Sequence, residues 1–172
     1  MIRVTGGTLR GRVLPAPIPA GVRPTSSRTR EALFSILGQD LAGCSFLDLF
    51  SGAAVIAIEA ASRGAGPVVA VDRAQVSLSA MHTNVAAVGA AVEILMGDVS
   101  RLGERVLPAD IVYLDPPFAD EIGGWIAKVG HLAKEVLVAE ARTGAEFPAF
   151  AGDLPLDRVR KYGESSVGVY RR

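Results

Sequence analysis

The feature that most constrains this fold is the alternation of short apolar runs with longer helical patterns. The apolar runs occupy positions 45–50, 67–71, 91–96, 109–114 and 135–139. Helical patterns occupy positions 52–62, 75–88 and 121–132. Nearly continuous apolar strands are typical of a parallel sheet that is buried on both faces. The alternation therefore predicts an α/β fold in which helices cover both faces of a doubly wound sheet.

The two ends of the chain follow different patterns. Residues 1–23 are rich in Gly, Pro and Arg, which predicts an irregular arm with a hairpin around Gly6 and Gly7. A Ser or Thr cap at 25–27 opens a further helix that ends at Gly38. Near the C-terminus, 157–162 and 166–171 flank Gly163 and predict an antiparallel hairpin. We expect one domain over residues 1–172, with 1–25 as a basic arm.

Charge is distributed unevenly along a chain whose formal net charge is zero. The first 30 residues contain six arginines and no acid, and the first acid is Glu31. A local basic patch of this kind is typical of proteins that bind nucleic acid phosphates, although a solubilising tail has the same composition. The candidate residues for binding nucleic acid phosphates are Arg10, Arg12, Arg23, Arg28 and Arg30.

Composition also bears on the expected location and on metal binding. The lone Cys44 cannot form an intramolecular disulfide, which suits a reducing cytoplasm. No apolar run reaches the ~18–20 residues that span a bilayer, so we expect no membrane association. His82 and His131 have no partner at metal-ligand spacing, so we expect no bound metal.

Three predicted strands are followed by residues that suit a nucleoside-containing cofactor. Gly52 follows the first strand, Asp72 ends the second, and Gly97 and Asp98 follow the third. Ligands of doubly wound sheets lie at the carboxyl ends of the strands. An acid at position 72 can accept both hydroxyls of a ribose, and one at 98 can hold an adenine amino group. The alternatives are an ordinary strand-to-helix turn and a helix-capping Asp98.

The turn at Gly52 disfavours a dinucleotide. Dinucleotide-binding enzymes carry G-x-G-x-x-G here, and the second glycine lets the backbone approach the pyrophosphate. In this chain the turn continues as Ala53, Ala54 and Val55, so that a methyl group stands at the second position. S-adenosylmethionine has no phosphate, so it tolerates more variation at this turn than a dinucleotide does.

The segment from Asp115 to Phe118 reads Asp-Pro-Pro-Phe and follows an apolar strand. Pro116 and Pro117 fix the turn and remove two N–H donors. The Asp115 carboxylate and a turn carbonyl can accept the two N–H groups of an exocyclic amine, and Phe118 can stack on a base. We therefore predict that these four residues hold a planar amino substrate. A rigid turn with Phe118 in the core is the structural alternative.

The chain resembles the bacterial 16S ribosomal RNA guanine-N2 methyltransferases that act on guanine 966. The similar segments are Arg3 to Gly7 with Gly11-Arg12, Arg23-Pro24-Thr25 with Arg28 and 30–34, Asp48 to Gly52 with 59–65, Asp115 to Phe118, and Tyr162-Gly163. The resemblance implies a Rossmann-like class I methyltransferase fold with a seven-stranded mixed sheet in the order 3-2-1-4-5-7-6. It also implies S-adenosyl-L-methionine as methyl donor, S-adenosyl-L-homocysteine as product, and 16S ribosomal RNA, free or in the small subunit or an assembly intermediate, as partner.

The same resemblance gives the expected site residues. The cofactor set is Asp48, Phe50, Ser51, Gly52, Asp72, Arg73, Gly97, Asp98 and Val99. The catalytic set is Asp115, Pro116, Pro117 and Phe118. Two departures lie on the cofactor side, because the family's Gly-Ser-Gly reads Gly52-Ala53-Ala54 and its usual Glu is Asp72. The competing hypotheses are methylation of an adenine N6 or a small molecule, and a degenerate protein that only binds RNA during ribosome assembly.

Overall fold

The computed structural model describes residues 1–18, 20 and 25–172. The chain divides into two compact units, Met1–Val99 and Ser100–Arg172, which we call the first and second unit. The single-domain expectation remains a prediction. In the described part of the chain, no helix is long and apolar enough to cross a bilayer.

The first unit contains three parallel strands and three helices. The strands are β3 (Phe46–Leu49), β4 (Val68–Asp72) and β5 (Glu93–Met96), in the order β5-β4-β3. The helices are α1 (Ser27–Leu37), α2 (Val55–Ser62) and α3 (Gln75–Val88). Ser26 caps α1 as expected, because its hydroxyl accepts the Thr29 N–H. The predicted alternation of strands and helices is confirmed in this unit.

The arm forms a small antiparallel hairpin rather than a wholly irregular segment. Strand β1 (Ile2–Arg3) pairs with β2 (Val13–Leu14), and the predicted glycine pair lies in the connection between them. Gly7 is required by its surroundings, because a Cβ atom there would lie 1.9 Å from the carbonyl oxygen of Ser62. Gly6 is also confined, since its Cβ would lie 2.5 Å from the Arg63 guanidinium. The glycine pair therefore lets the arm pack closely against the end of α2.

The second unit is a five-stranded mixed sheet with one α-helix. Its strands are β6 (Ala109–Leu114), β7 (Ala133–Arg142), β8 (Phe150–Ala151), β9 (Leu154–Tyr162) and β10 (Ser165–Arg171). Their order is β6-β7-β10-β9-β8, with β6 and β7 parallel and the remaining pairs antiparallel. The helix is α4 (Ile122–Val129), and a 3-10 turn (Gly130–Leu132) follows it. The predicted C-terminal hairpin is confirmed as β9 and β10.

The predicted seven-stranded sheet is wrong in its strand count. The first unit contributes three strands in the order expected for 3-2-1, and the second contributes those expected for 4-5-7-6 together with β8. Strand β8 has only two residues, Phe150 and Ala151, so it gives no alternating pattern that a sequence could reveal. The helix predicted from position 52 begins instead at Val55, because Gly52 and Ala54 adopt left-handed backbone conformations.

Candidate active site and basic arm

The loop after β3 is held by a buried carboxylate at the end of that strand. Asp48 is 1% exposed and accepts hydrogen bonds from the Ser51 hydroxyl at 2.7 Å and the Ala57 N–H at 3.1 Å. Burial raises the pKa of Asp48 to about 7, while these two hydrogen bonds oppose that rise. Asp48 thus fixes the loop and the start of α2 from within the unit.

This loop contains two strained residues, one before and one after its glycine. Phe50 has φ of 63° and Ala54 has φ of 60°, both in the left-handed region that L residues avoid. Gly52, between them, also has a positive φ of 60°. Left-handed non-glycine residues often occur where the backbone is shaped around a ligand. Ala54 therefore keeps the backbone conformation that a glycine would adopt.

The second acid, Asp72, connects the ends of two strands. Its Oδ2 accepts the Gly52 N–H at 2.9 Å, and its Oδ1 accepts the Ala74 N–H at 2.9 Å. Asp72 is only partly buried, and each carboxylate oxygen has a second lone pair. The arrangement fits a ribose diol, because the carboxylate is already oriented and can still accept two hydroxyl groups.

The remaining cofactor-site candidates follow β4 and β5. Gly97 N–H donates to the Asp72 carbonyl at 3.0 Å, which brings the two strand ends together. Arg73 and Asp98 form a salt bridge of 3.6 Å, and their side chains are 74% and 34% exposed. Val99 is buried and begins a 3-10 turn (Val99–Arg101). The structure thus brings the predicted cofactor residues of the first unit to one edge of its sheet.

In the second unit, the Asp-Pro-Pro-Phe turn follows β6 as predicted. Asp115 is partly buried, Pro116 is buried and Pro117 is exposed. The Pro117 carbonyl accepts the Asp120 N–H at 2.9 Å, so this carbonyl is used within the turn. Phe118 is partly exposed and lines a cavity, which argues against the alternative that it belongs to the core.

The cavity beside Phe118 has a volume of about 410 Å³. Its other lining residues are Arg142, Thr143, Gly163 and Glu164. Sequence analysis assigned no role to this group. The available signal was the position of Arg142 three residues after the predicted parallel strand 135–139, on the side of the sheet where ligands bind.

The basic arm is anchored by a buried hydrogen-bond network around Glu59. Glu59 is fully buried and forms an ion pair with Arg63, which lies one turn further along, at the end of α2. The N–H and hydroxyl of Thr5 both donate to its carboxylate at 2.9 Å. Arg30 adds a third partner from α1 at 3.1 Å. Glu59 therefore joins the arm, α1 and α2.

Arg30 must be removed from the predicted RNA-binding set. It is 3% exposed, and its guanidinium donates to Glu59 and to the carbonyls of Thr25 and Arg3. A guanidinium committed to buried protein acceptors cannot also contact a phosphate. Arg10, Arg12 and Arg28 are exposed, and their side chains make no hydrogen bond or ion pair with other described residues. Arg23 lies outside the described residues.

Comparison with known proteins places this chain in a family. A family model described as "Conserved hypothetical protein 95" matches residues 2–171. The fold is that of a Rossmann-like α/β methyltransferase. The chain belongs to this family, and its resemblance to ribosomal RNA methyltransferases is confirmed.

Three relatives illustrate the similarity. The chain is 31% identical to Ribosomal RNA small subunit methyltransferase D of Escherichia coli K12, covering 99% of this chain and 90% of that protein. It is 28% identical to the Putative rRNA methyltransferase YlbH of Bacillus subtilis, covering 99% of each. The solved structure of the putative methyltransferase yhhF from Escherichia coli superimposes with a TM-score of 0.84 at 28% identity, covering 99% of this chain and 97% of that one.

Proposed function

We propose that this protein transfers a methyl group from S-adenosyl-L-methionine to the exocyclic N2 of a guanine in 16S ribosomal RNA. The observation that carries the proposal is the Asp-Pro-Pro-Phe turn at the end of β6, with Asp115 and Phe118 both partly exposed. Its supporting context is a family whose relatives are named as small-subunit ribosomal RNA methyltransferases.

The first unit is assigned to the cofactor. Asp72 would accept the ribose hydroxyls, and Asp98 would accept the adenine amino group. Asp48 and Ser51 act indirectly, because their hydrogen bond of 2.7 Å fixes the loop that carries Phe50 and Gly52. When bound, the cofactor supplies an activated methyl group and leaves as S-adenosyl-L-homocysteine. A pre-ordered carboxylate such as Asp72 lowers the reorganisation needed for binding.

The second unit is assigned to the target base. The Asp115 carboxylate would accept one N–H of the guanine amino group, and the Pro116 carbonyl would accept the other. We select Pro116 because the Pro117 carbonyl already accepts the Asp120 N–H. Two acceptors fix the direction of the nitrogen lone pair, so the turn contributes to the rate mainly through orientation. Phe118 would stack on the base, a contact worth about 1–3 kcal/mol.

The exposed arginines of the arm are assigned to RNA phosphates. The net charge is zero, so general attraction cannot bring this protein to RNA and a local patch is needed. Arg10, Arg12 and Arg28 remain in this role, together with the undescribed Arg23. The substrate is free 16S RNA, the small subunit or an assembly intermediate, and a cytoplasmic location belongs to the same proposal.

Two other functions are weighed against this one. The Asp-Pro-Pro-Phe turn also suits an adenine N6 or a small-molecule amine, and the basic arm favours a polymer over a metabolite. The second alternative is a degenerate protein that only binds RNA, and the argument for it is the alanine at position 54 of the cofactor loop. The left-handed conformation of Ala54 weakens that argument, because the loop keeps a glycine-like backbone.

The test is methyl transfer from labelled cofactor to RNA. Unmodified 16S RNA and assembled small subunits would be supplied separately. The labelled position would be mapped, and the RNA would be digested to nucleosides so that the labelled nucleoside can be identified. We expect N2-methylguanine at one position. Label in N6-methyladenine would support the alternative methyltransferase, and cofactor binding without transfer to any RNA would contradict the proposed activity.

A further inference from the structure

The cavity beside Phe118 lies wholly within the second unit and has ordered walls. Arg142 ends β7, and its register partner on β10 is Ser165. The Thr143 hydroxyl donates to the Gly163 carbonyl at 2.9 Å, and the Thr143 N–H donates to the Glu164 carbonyl at 2.8 Å. These bonds hold the end of β7 against the turn between β9 and β10, so the backbone that carries Arg142 and Glu164 is fixed.

The cavity beside Phe118 lies at the level of the carboxyl end of β6. Leu114 is in register with Ala139, and the two strands are parallel. Arg142 lies three residues beyond Ala139, roughly 10 Å further along the strand direction. Asp115 and Arg142 therefore leave the same edge of this sheet, which is the edge where ligands of such folds bind.

The cavity presents two charged side chains of opposite sign. Arg142 and Glu164 are both exposed, and neither side chain is hydrogen-bonded or ion-paired with another described residue. A guanidinium offers five N–H donors in a fixed planar fork, and a carboxylate offers only acceptors. Phe118 adds an aromatic surface to the same cavity. Donors, acceptors and a stacking surface together match a purine base.

We propose that Arg142 recognises the O6 and N7 atoms of the target guanine, with Phe118 on the face of the base. This inference rests on the proposed function and deepens it, because it names the residue that selects the base. A bidentate arginine is the commonest specific contact to the O6 and N7 of guanine. Adenine carries an amino group at position 6, so two sets of donors would face each other. Glu164 is placed to accept the guanine N1–H.

The experiment pairs changes in the protein with changes in the base. Short RNAs would carry guanine, 7-deazaguanine, which lacks only N7, or 2-aminopurine, which lacks O6 and the N1–H assigned to Glu164. The substituted position is the mapped target or, if no target is mapped, the guanine that the family resemblance indicates. For wild type we expect guanine to be methylated about 5- to 150-fold faster than either analogue, the range of one bidentate contact. In Arg142→Ala the guanine rate should fall by more than either analogue rate. The preference over 7-deazaguanine should then disappear, and the preference over 2-aminopurine should shrink to the part that depends on Glu164.

Two further variants test whether the planar guanidinium of Arg142 or only its positive charge selects guanine. Arg142→Lys keeps the charge and loses the planar fork, so it should lose the preference for guanine and retain the salt dependence of RNA binding. Arg160→Ala removes an exposed cation on β9 that does not line the cavity, and should leave the preference unchanged. Thermal unfolding of each variant would confirm that it is folded.

The same RNAs would be bound at equilibrium without turnover. An Arg142-dependent preference for guanine in binding supports the inference even if wild type transfers no methyl group, a result that would reject the proposed function alone. Equal losses for guanine and both analogues in Arg142→Ala, with a salt slope lowered by about one, would indicate a phosphate contact and overturn the inference. An unchanged preference for guanine would overturn it as well.

Discussion

Arg30 Nε–H donates to Glu59 Oε1 at 3.1 Å, and both side chains are almost completely buried. Arg30 comes from α1 and Glu59 from α2, and Thr5 of the arm donates to the same carboxylate. The position of the arm is thus determined by a buried charge rather than by apolar packing alone. An arginine that sequence analysis assigned to RNA instead holds the basic arm in place.

Replacing Glu59 with glutamine should be strongly destabilising. The variant leaves the guanidinium groups of Arg30 and Arg63 buried without an anionic partner, which costs about 3–5 kcal/mol in comparable cases. The measurement is the free energy of unfolding in urea. Glu31→Gln on α1 removes an exposed charge and should change it by less than about 0.5 kcal/mol. Equal effects of the two substitutions would contradict the central role of Glu59.

Neutralising Arg10 and Arg12 together should weaken RNA binding and flatten its salt dependence. Each phosphate contact that is lost lowers the slope of log affinity against log salt by nearly one. Cofactor affinity should be unchanged, because both residues belong to the arm. Arg160→Ala with Lys161→Ala removes two exposed charges from β9 and serves as the control. Slopes equal to that of wild type would reject the arm as an RNA contact.

Glycine at position 54 should be better tolerated than glycine at position 53. Both alanines are buried, at 0% and 3% exposed, so each substitution removes a buried methyl group and adds the same freedom to the unfolded chain. Of the two, only Ala54 has a positive φ. Glycine adopts this conformation without strain, so the substitution should recover about 1–2 kcal/mol of stability at this position. We expect Ala54→Gly to be more stable than Ala53→Gly by about that amount in urea. The reverse order would show that Ala54 is not strained.

The stability of the protein should fall as pH rises from about 4 to 7 because of Asp48. The pKa of this carboxyl is raised from 3.8 to about 7 by burial. Between those values the folded state holds a proton that the unfolded state has released, so folding is penalised progressively as pH rises. Above pH 7 this group adds no further change, and below pH 4 it is protonated in both states.

Asp48→Asn isolates this effect. The amide keeps an acceptor for the Ser51 hydroxyl and the Ala57 N–H, and it does not titrate. The stability of the variant relative to wild type should rise by a few kcal/mol between pH 4 and 7, since each pKa unit corresponds to about 1.4 kcal/mol. Urea unfolding at successive pH values, without cofactor, gives both curves. Parallel curves would show that the pKa of Asp48 is not raised.

Much of the fold could be predicted because the parallel strands β3, β4 and β6 are mostly apolar and several helices have clear ends. Strand β6 and helix α3 have the predicted bounds. The two-residue strand β8 has no period to detect. The burial of Arg30 was not predictable either, because its partner Glu59 is 29 residues away and only folding brings the two together.

The candidate site also has parts that the sequence predicts and parts that it does not. Residues in or next to strand ends, such as Asp48, Asp72 and Asp115, could be located because a parallel sheet places ligands at that edge. The cavity lined by Arg142 and Glu164 could not, because it depends on the pairing of β7 with β10, which the sequence does not show. The sequence also does not predict the left-handed conformation of Ala54, because alanine usually indicates a helix.

The most direct test of this account is the single-turnover rate of methyl transfer by Asp115→Ala. The substitution removes the acceptor for the target amino group and leaves Asp48, Gly52 and Asp72 intact. We predict a loss of about 100-fold or more in rate, with cofactor affinity, measured by calorimetry, nearly unchanged. Transfer at the wild-type rate would contradict the assignment of the Asp-Pro-Pro-Phe turn to the target base.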